Sequence, residues 1–291
     1  MKDGFYPALG TPTSDNGELI KNSYNKGIEL MIEAGAQGVL CMGSMGKMAT
    51  IRNSEYHKIA KYCFKVVSKR IPVMLGVMDC SVSRVLERIE ALANIDIDGV
   101  VATAPYYYKV SGDGIISFFR ILADKSKYPV YIYDLPSVTQ SPITGDILKI
   151  LIDIPNIKGI KTANLDLILD LYRNDWLKDN FSIFYSGLDL FDVALNSGIG
   201  KNLDGMFTCT PYNSKKIYEN MGPGNSMKVS KHLNNILKLR NLFLKETVFP
   251  AYSYAMELIG CPGNYHNDYD TPVSKELRKK VYNCMKAINE I

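Results

Sequence analysis

Lys161 is the residue in this chain best placed for covalent chemistry. It ends the run Ile157-Lys158-Gly159-Ile160-Lys161, which alternates apolar and polar residues as a strand does before passing into Thr162-Ala163-Asn164. A lysine at a strand end is most often a solvated charge. The opposing reading is a desolvated amine, since burial favours the neutral, nucleophilic form that attacks carbonyls. Tyr133 closes another short apolar run, Pro129 to Tyr133, and its phenol is either a packed aromatic with one satisfied hydroxyl or a proton carrier. Gly43-Ser44-Met45-Gly46 is either a tight turn or a loop whose backbone N–H groups open toward an anion such as a carboxylate. Tyr106-Tyr107-Tyr108 reads as surface packing, an oligomer contact or further phenols for a site; Gly187 either makes a turn or admits a ligand closely.

These residues converge only if the fold brings strand ends together. Short β-rich runs alternate with longer amphipathic ones, the pattern of a parallel sheet. Strands are expected at Phe5 to Leu9, Gly38 to Met42, Pro72 to Val77, Gly99 to Ala102, Pro129 to Tyr133, the run carrying Lys161, Ser182 to Tyr185 and Asp204 to Phe207. Helical spacing falls between them, with a repeat near 30 residues. Eight βα units predict an α/β fold, a (β/α)8 TIM barrel. A doubly wound sheet would carry fewer units and a glycine-rich turn after its first strand, where this chain has Leu9-Gly10-Thr11-Pro12. The barrel is expected over 1–221. Three more helices, Met227 to Thr247, Ala251 to Ile259 and Lys275 to Ile291, form a C-terminal extension over 222–291 that packs on the barrel as one structural unit.

In such a barrel the carboxyl ends of the strands share one face. That face then carries Thr11, the Gly43–Gly46 loop, Tyr106, Tyr107, Tyr133, Lys161, Gly187 and Phe207. The set lacks a histidine and a close carboxylate pair, which disfavours a Ser-His-Asp hydrolase and a two-carboxylate glycosidase. It suits an amine attacking a ketone while a phenol shuttles protons.

Composition narrows the remaining classes. The chain has 291 residues, a formal net charge of +4 and scattered basic residues, which gives nucleic-acid binding little support. No run reaches the roughly 18 apolar residues of a membrane helix, and the first residues do not resemble a signal peptide. Six dispersed cysteines without a CxxC pair read as reduced thiols, so a cytoplasmic location is expected. His57, His232 and His266 match no metal-ligand spacing, and no metal site is expected.

Taken together, Gly43-Ser44-Met45-Gly46-Lys47 (family pattern G-[ST]-[TS]-G-E), Ala104-Pro105-Tyr106-Tyr107, Tyr131-Ile132-Tyr133-Asp134-Leu135-Pro136 and Gly159-Ile160-Lys161 resemble the dihydrodipicolinate synthase and N-acetylneuraminate lyase family of class I, pyruvate-binding aldolases. The resemblance covers nearly the whole chain. It implies that Lys161 forms a Schiff base with pyruvate or another 2-oxo acid and that Tyr133 gives and takes protons. Ser44 matches the hydroxyl that relays them, and Tyr107 the tyrosine that completes the relay from a neighbouring subunit. It also implies that Met45 and Phe207 contact the keto acid, that no dissociable cofactor is used, and that the chain forms a homodimer or a homotetramer built as a dimer of dimers.

Several residues depart from the family pattern. Met45 replaces a hydroxyl, at a cost to carboxylate binding of about 1 kcal/mol or somewhat more. Lys47 replaces a glutamate, and Gln140 a frequent glycine. Val138 stands where the synthases place an arginine, a loss on the order of 2 kcal/mol of carboxylate binding. The resulting expectation is a class I aldolase or lyase acting on a 2-oxo acid and an aldehyde other than aspartate semialdehyde. The alternatives are 4-hydroxy-tetrahydrodipicolinate synthase, a 2-keto-3-deoxy sugar acid dehydratase, and a non-catalytic barrel that binds a keto acid.

Overall fold

The computed structural model describes residues 1–222 and 224–291. Eight parallel strands form one sheet: β1 (Gly4–Pro7), β2 (Val39–Cys41), β3 (Val73–Gly76), β4 (Gly99–Thr103), β5 (Val130–Tyr133), β6 (Ile157–Thr162), β7 (Ser182–Tyr185) and β8 (Lys201–Asp204). Neighbours run β1-β8-β7-β6-β5-β4-β3-β2. The Ala8–Leu40 bridge, with Leu9 N–H donating to Leu40 O at 2.9 Å, closes the last gap between β1 and β2. The sheet is therefore a barrel, and helices follow its strands as the α/β alternation requires. Strands such as Gly99–Thr103 are buried along their full length, which explains their continuous apolar sequence.

Local sequence sets the helix starts. Ser81, Ser111, Thr144 and Asn164 each accept a hydrogen bond from the backbone N–H three residues on, capping the helices that begin at Val82, Gly112, Gly145 and Leu165. After the barrel come helices at Pro211–Glu219, Ser226–Phe243, Val248–Leu258 and Lys275–Ala287. Ser226–Phe243 ends earlier than the apolar spacing suggested. Pro250 sits in the first turn of Val248–Leu258, where its missing N–H costs nothing.

Two differences from the sequence expectations bear on the site. The eighth strand is Lys201–Asp204, not Asp204 to Phe207, because the Asp204 carboxylate accepts from Met206 N–H at 2.7 Å and turns the chain. Met206–Cys209 is a short 3-10 helix instead. A four-residue helix, Pro136–Thr139, follows β5 and carries Val138.

All six cysteines are free. Among the described residues no helix is long and apolar enough to cross a membrane, and no group of three or more His, Cys, Asp or Glu side chains could hold a metal ion.

Candidate active site

Strand register places the principal side chains in one row. Thr103 of β4 pairs with Tyr133 of β5, and Tyr133 with Lys161 of β6. Register partners in a parallel sheet point to the same face, so all three lie at one level of the barrel mouth. Lys161 is 8% exposed, and its Nζ lies 3.7 Å from the centroid of the Tyr133 ring. No carboxylate lies within 4.0 Å of that amine among the described residues, so the ring face is its close electrostatic partner. Asp204, at the end of β8, is the carboxylate whose charge Lys161 influences. Burial raises its pKa, while the lysine and the hydrogen bond from Met206 N–H pull the other way.

The loop after β2 supplies the next group. Ser44 Oγ lies 3.5 Å from the Tyr133 hydroxyl, a long contact of the kind that bound substrate tightens. Thr11 fixes the loop from β1, donating to Gly46 O at 2.9 Å. Met42 and Lys47 flank the loop with φ of 54° and 58°. Left-handed backbone of this kind costs a non-glycine residue about 1–3 kcal/mol and persists only where its surroundings hold it.

Asp134 ties β5 to β6 just past the row. Its buried carboxylate accepts from the Thr162 hydroxyl at 2.8 Å and from Ile143 N–H at 3.1 Å, and its own N–H donates to Lys161 O at 2.8 Å. Burial raises its pKa against the two lowering hydrogen bonds. These contacts fix the backbone on which Tyr133 and Lys161 stand.

Beside Ser44 opens a cavity of about 230 Å³, walled on the barrel side by Ser44, Thr103, Leu135 and Val138. Phe249, Asn267 and Tyr269 of the C-terminal extension complete the wall. The Thr103 hydroxyl is buried and has no hydrogen-bond partner among the described residues. Lys47 also reaches this wall, but its Nζ donates to Thr13 Oγ1, Asn264 O and His266 O, each at 3.0 Å. Burial draws its pKa down to about 8, with Asp268 and Asp270 opposing.

The remaining residues singled out from sequence are distributed differently. Val138 is on the cavity rim, 48% exposed. Met45 packs against the backbone of Gly205, where a Cβ would stand 2.0 Å from Met45 Cγ. Gly187 precedes a short helical turn, and a Cβ there would meet the Tyr185 hydroxyl at 2.2 Å, so its packing alone calls for glycine. Phe207 is fully buried among the rings of Phe5, Phe191 and Tyr218 and does not line the cavity. Tyr107 is 73% exposed, with its ring edge-on to Tyr108. Sequence reasoning missed Asp134, Thr162, Thr103 and the extension's wall residues. Asp134 directly follows Tyr133 and Thr162 directly follows Lys161, but only the register between their strands reveals the pair.

A (β/α)8 barrel whose mouth sets a buried lysine amine against a phenol has the groups found in one class of enzyme, the lysine Schiff-base lyases that use no external cofactor, and the comparisons place the chain in that class. A model described as the Dihydrodipicolinate synthetase family matches residues 1–288, and the chain belongs to that family. The family acts on small 2-oxo acids and aldehydes. The chain is 25% identical over 292 residues to the 4-hydroxy-tetrahydrodipicolinate synthase of Ehrlichia canis, covering 99% of this chain and 98% of that protein. It is 30% identical to the synthase of Phenylobacterium zucineum over 58% of this chain, so the match spans only 57% of that relative's length. Among solved structures it resembles a prophage protein of the dihydrodipicolinic acid synthase family from E. coli K12, solved in complex with pyruvate. That match has a TM-score of 0.91 and 23% identity and covers 100% of both chains, a likeness that shows the fold.

These comparisons overturn the expectation of a second substrate other than aspartate semialdehyde. Six further curated relatives bear the same synthase name, which favours the alternative reading. The structure supplies a physical reason why Val138 was a poor guide. It stands on an exposed rim, where an ion pair is worth only about 0–1 kcal/mol, so the missing arginine removes less binding than a buried fork would.

Proposed function

We propose that the chain is a 4-hydroxy-tetrahydrodipicolinate synthase, condensing pyruvate with aspartate semialdehyde. The observation that carries this reading is the register pair of Lys161 and Tyr133, 3.7 Å from amine to ring centroid, in a chain whose curated relatives bear that name. Lys161 attacks the keto carbon of pyruvate and water leaves, giving an imine. Loss of a methyl proton converts the imine to an enamine, whose carbon attacks the aldehyde. The amine of the second substrate then displaces Lys161 and closes the ring.

Protons must leave the attacking amine and reach the departing oxygen. Tyr133 is assigned that transfer, relayed by Ser44 at 3.5 Å. Tyr107, 73% exposed in the single chain, is assigned to the mouth of a neighbouring subunit in a homodimer or a dimer of dimers. The N–H groups of the Gly43–Gly46 loop are assigned to the pyruvate carboxylate in place of a hydroxyl at Met45. The second substrate occupies the cavity between Val138 and the extension.

Borohydride reduction in the presence of pyruvate tests the mechanism. The expected result is a mass increase on the peptide carrying Lys161, absent in Lys161→Ala. A Lys161→Ala enzyme with full turnover would refute it. Product formation from pyruvate and aspartate semialdehyde tests the substrate pair separately.

A further inference from the structure

Lys47 sits where the mouth of the barrel meets the C-terminal extension. Its ammonium has three protons, and all three are donated within the protein: to Thr13 Oγ1 in the loop after β1, and to Asn264 O and His266 O in the extension. The side chain therefore lines the substrate cavity without a donor left for substrate, and three segments distant in sequence meet on one atom.

Five further hydrogen bonds make this a joint and not a chance approach. Thr13 and Asn264 exchange backbone hydrogen bonds at 3.1 and 2.8 Å, and Thr13 Oγ1 also donates to Asn264 O at 3.0 Å. Thr50, three residues past Lys47, donates to Asn267 Oδ1 at 2.8 Å, and Asn264 Nδ2 donates to Asp15 at 2.8 Å. Lys47 holds a left-handed backbone at φ 58°, a conformation that needs outside support. On the extension side, Asn267 is fixed by Asp270, which accepts from both its backbone and side-chain nitrogens at 2.8 and 3.1 Å. Asn267 and Tyr269 then line the cavity together with Leu135 and Val138.

We propose that Lys47 is a positioning residue whose ammonium pins segment 264–270 of the extension to the loop bearing Ser44, and thereby sets the width of the second-substrate half of the cavity. The pin acts on the aldehyde and not on pyruvate, because the Lys161–Tyr133 row is held by the barrel strands and Asp134. This inference rests on the proposed function for its substrate but not for its geometry.

Two measurements on wild type, Lys47→Met and Thr13→Val decide it. Amide exchange read by mass spectrometry should accelerate about tenfold or more across 264–270 in Lys47→Met, and less in Thr13→Val, with β5 and β6 unchanged. In steady-state kinetics the KM for aspartate semialdehyde should rise about five- to tenfold in Lys47→Met, while the KM for pyruvate and the yield of borohydride trapping stay within twofold. If both variants leave exchange across 264–270 at the wild-type rate, the pin does not exist. If trapping and both KM values worsen together, Lys47 is a general structural residue and the proposal fails. Should Lys47→Met not fold, Thr13→Val carries both readouts alone. A wild type inactive on aspartate semialdehyde refutes the proposed function, and exchange still judges the pin independently.

Discussion

The Thr162 hydroxyl donates to the buried carboxylate of Asp134 at 2.8 Å, joining the residues that directly follow Lys161 and Tyr133. The distance between amine and phenol is thus held by a polar clamp just past them as well as by the β5–β6 ladder. An enzyme that needs a proton carrier beside its nucleophile gains from such pre-organisation.

The clamp has a definite pH signature. Burial raises the Asp134 pKa above its unfolded value, so the folded state takes up the proton more readily. Its contribution to stability is fullest in acid and is lost as pH rises through the folded pKa. Asp134→Asn keeps the shape, and the Thr162 hydroxyl can turn to accept from the amide. At pH 7 the variant should therefore match or exceed the wild-type Tm, and the wild type should gain on it as pH falls toward 4. A Tm series over pH checks this, and the opposite trend would count against a carboxylate strained by burial.

Tyr133→Phe removes the phenol while leaving a ring for Lys161 to pack against. Turnover should drop about 10²- to 10⁴-fold, the usual worth of a positioned proton carrier. Stability should change little, since among the described residues the hydroxyl's hydrogen bonding is limited to the long contact with Ser44. Stopped-flow imine formation with pyruvate should slow in parallel with turnover; an unchanged rate would remove Tyr133 from that step.

Val138→Arg places a guanidinium on the cavity rim. Because position 138 is 48% exposed, the expected gain is no more than about 1 kcal/mol, or roughly fivefold in the KM for aspartate semialdehyde. A gain of a hundredfold would show the rim to be far less solvated than its exposure indicates.

Met45 and Gly205 form a coupled pair. Gly205→Ala puts a Cβ 2.0 Å from Met45 Cγ and should cost about 1–3 kcal/mol through overpacking. Met45→Ala in the same chain should recover most of that loss, which a double-mutant cycle of denaturation midpoints measures. Additive effects would mean that the two residues do not touch.

The barrel and the position of Lys161 were legible because both depend on patterns along the chain: eight apolar runs, and a lysine at the carboxyl end of one of them. Phe207 was misplaced because Met206 and Phe207 extend an apolar run past the point where Asp204 turns it, and nothing in the run marks the turn. Lys47 read as a reversed charge behind the site, since its acceptors at Thr13, Asn264 and His266 are set by packing and have no local signature. Val138 lines the cavity rim but was over-weighted, because exposure decides what an ion pair is worth and sequence does not display exposure.

The bond from Thr13 to Asn264 spans 251 residues of chain. During synthesis Thr13 leaves the ribosome 251 residues before its partner in the mouth. The row of Thr103, Tyr133 and Lys161 stands on β4 to β6, whereas the cavity stays without one wall until Asn267 and Tyr269 have been made. A chain stopped shortly before Asn264 should thus capture pyruvate before it has a closed chamber for the second substrate, so that the order in which the site is built matches the order in which the proposed reaction uses it.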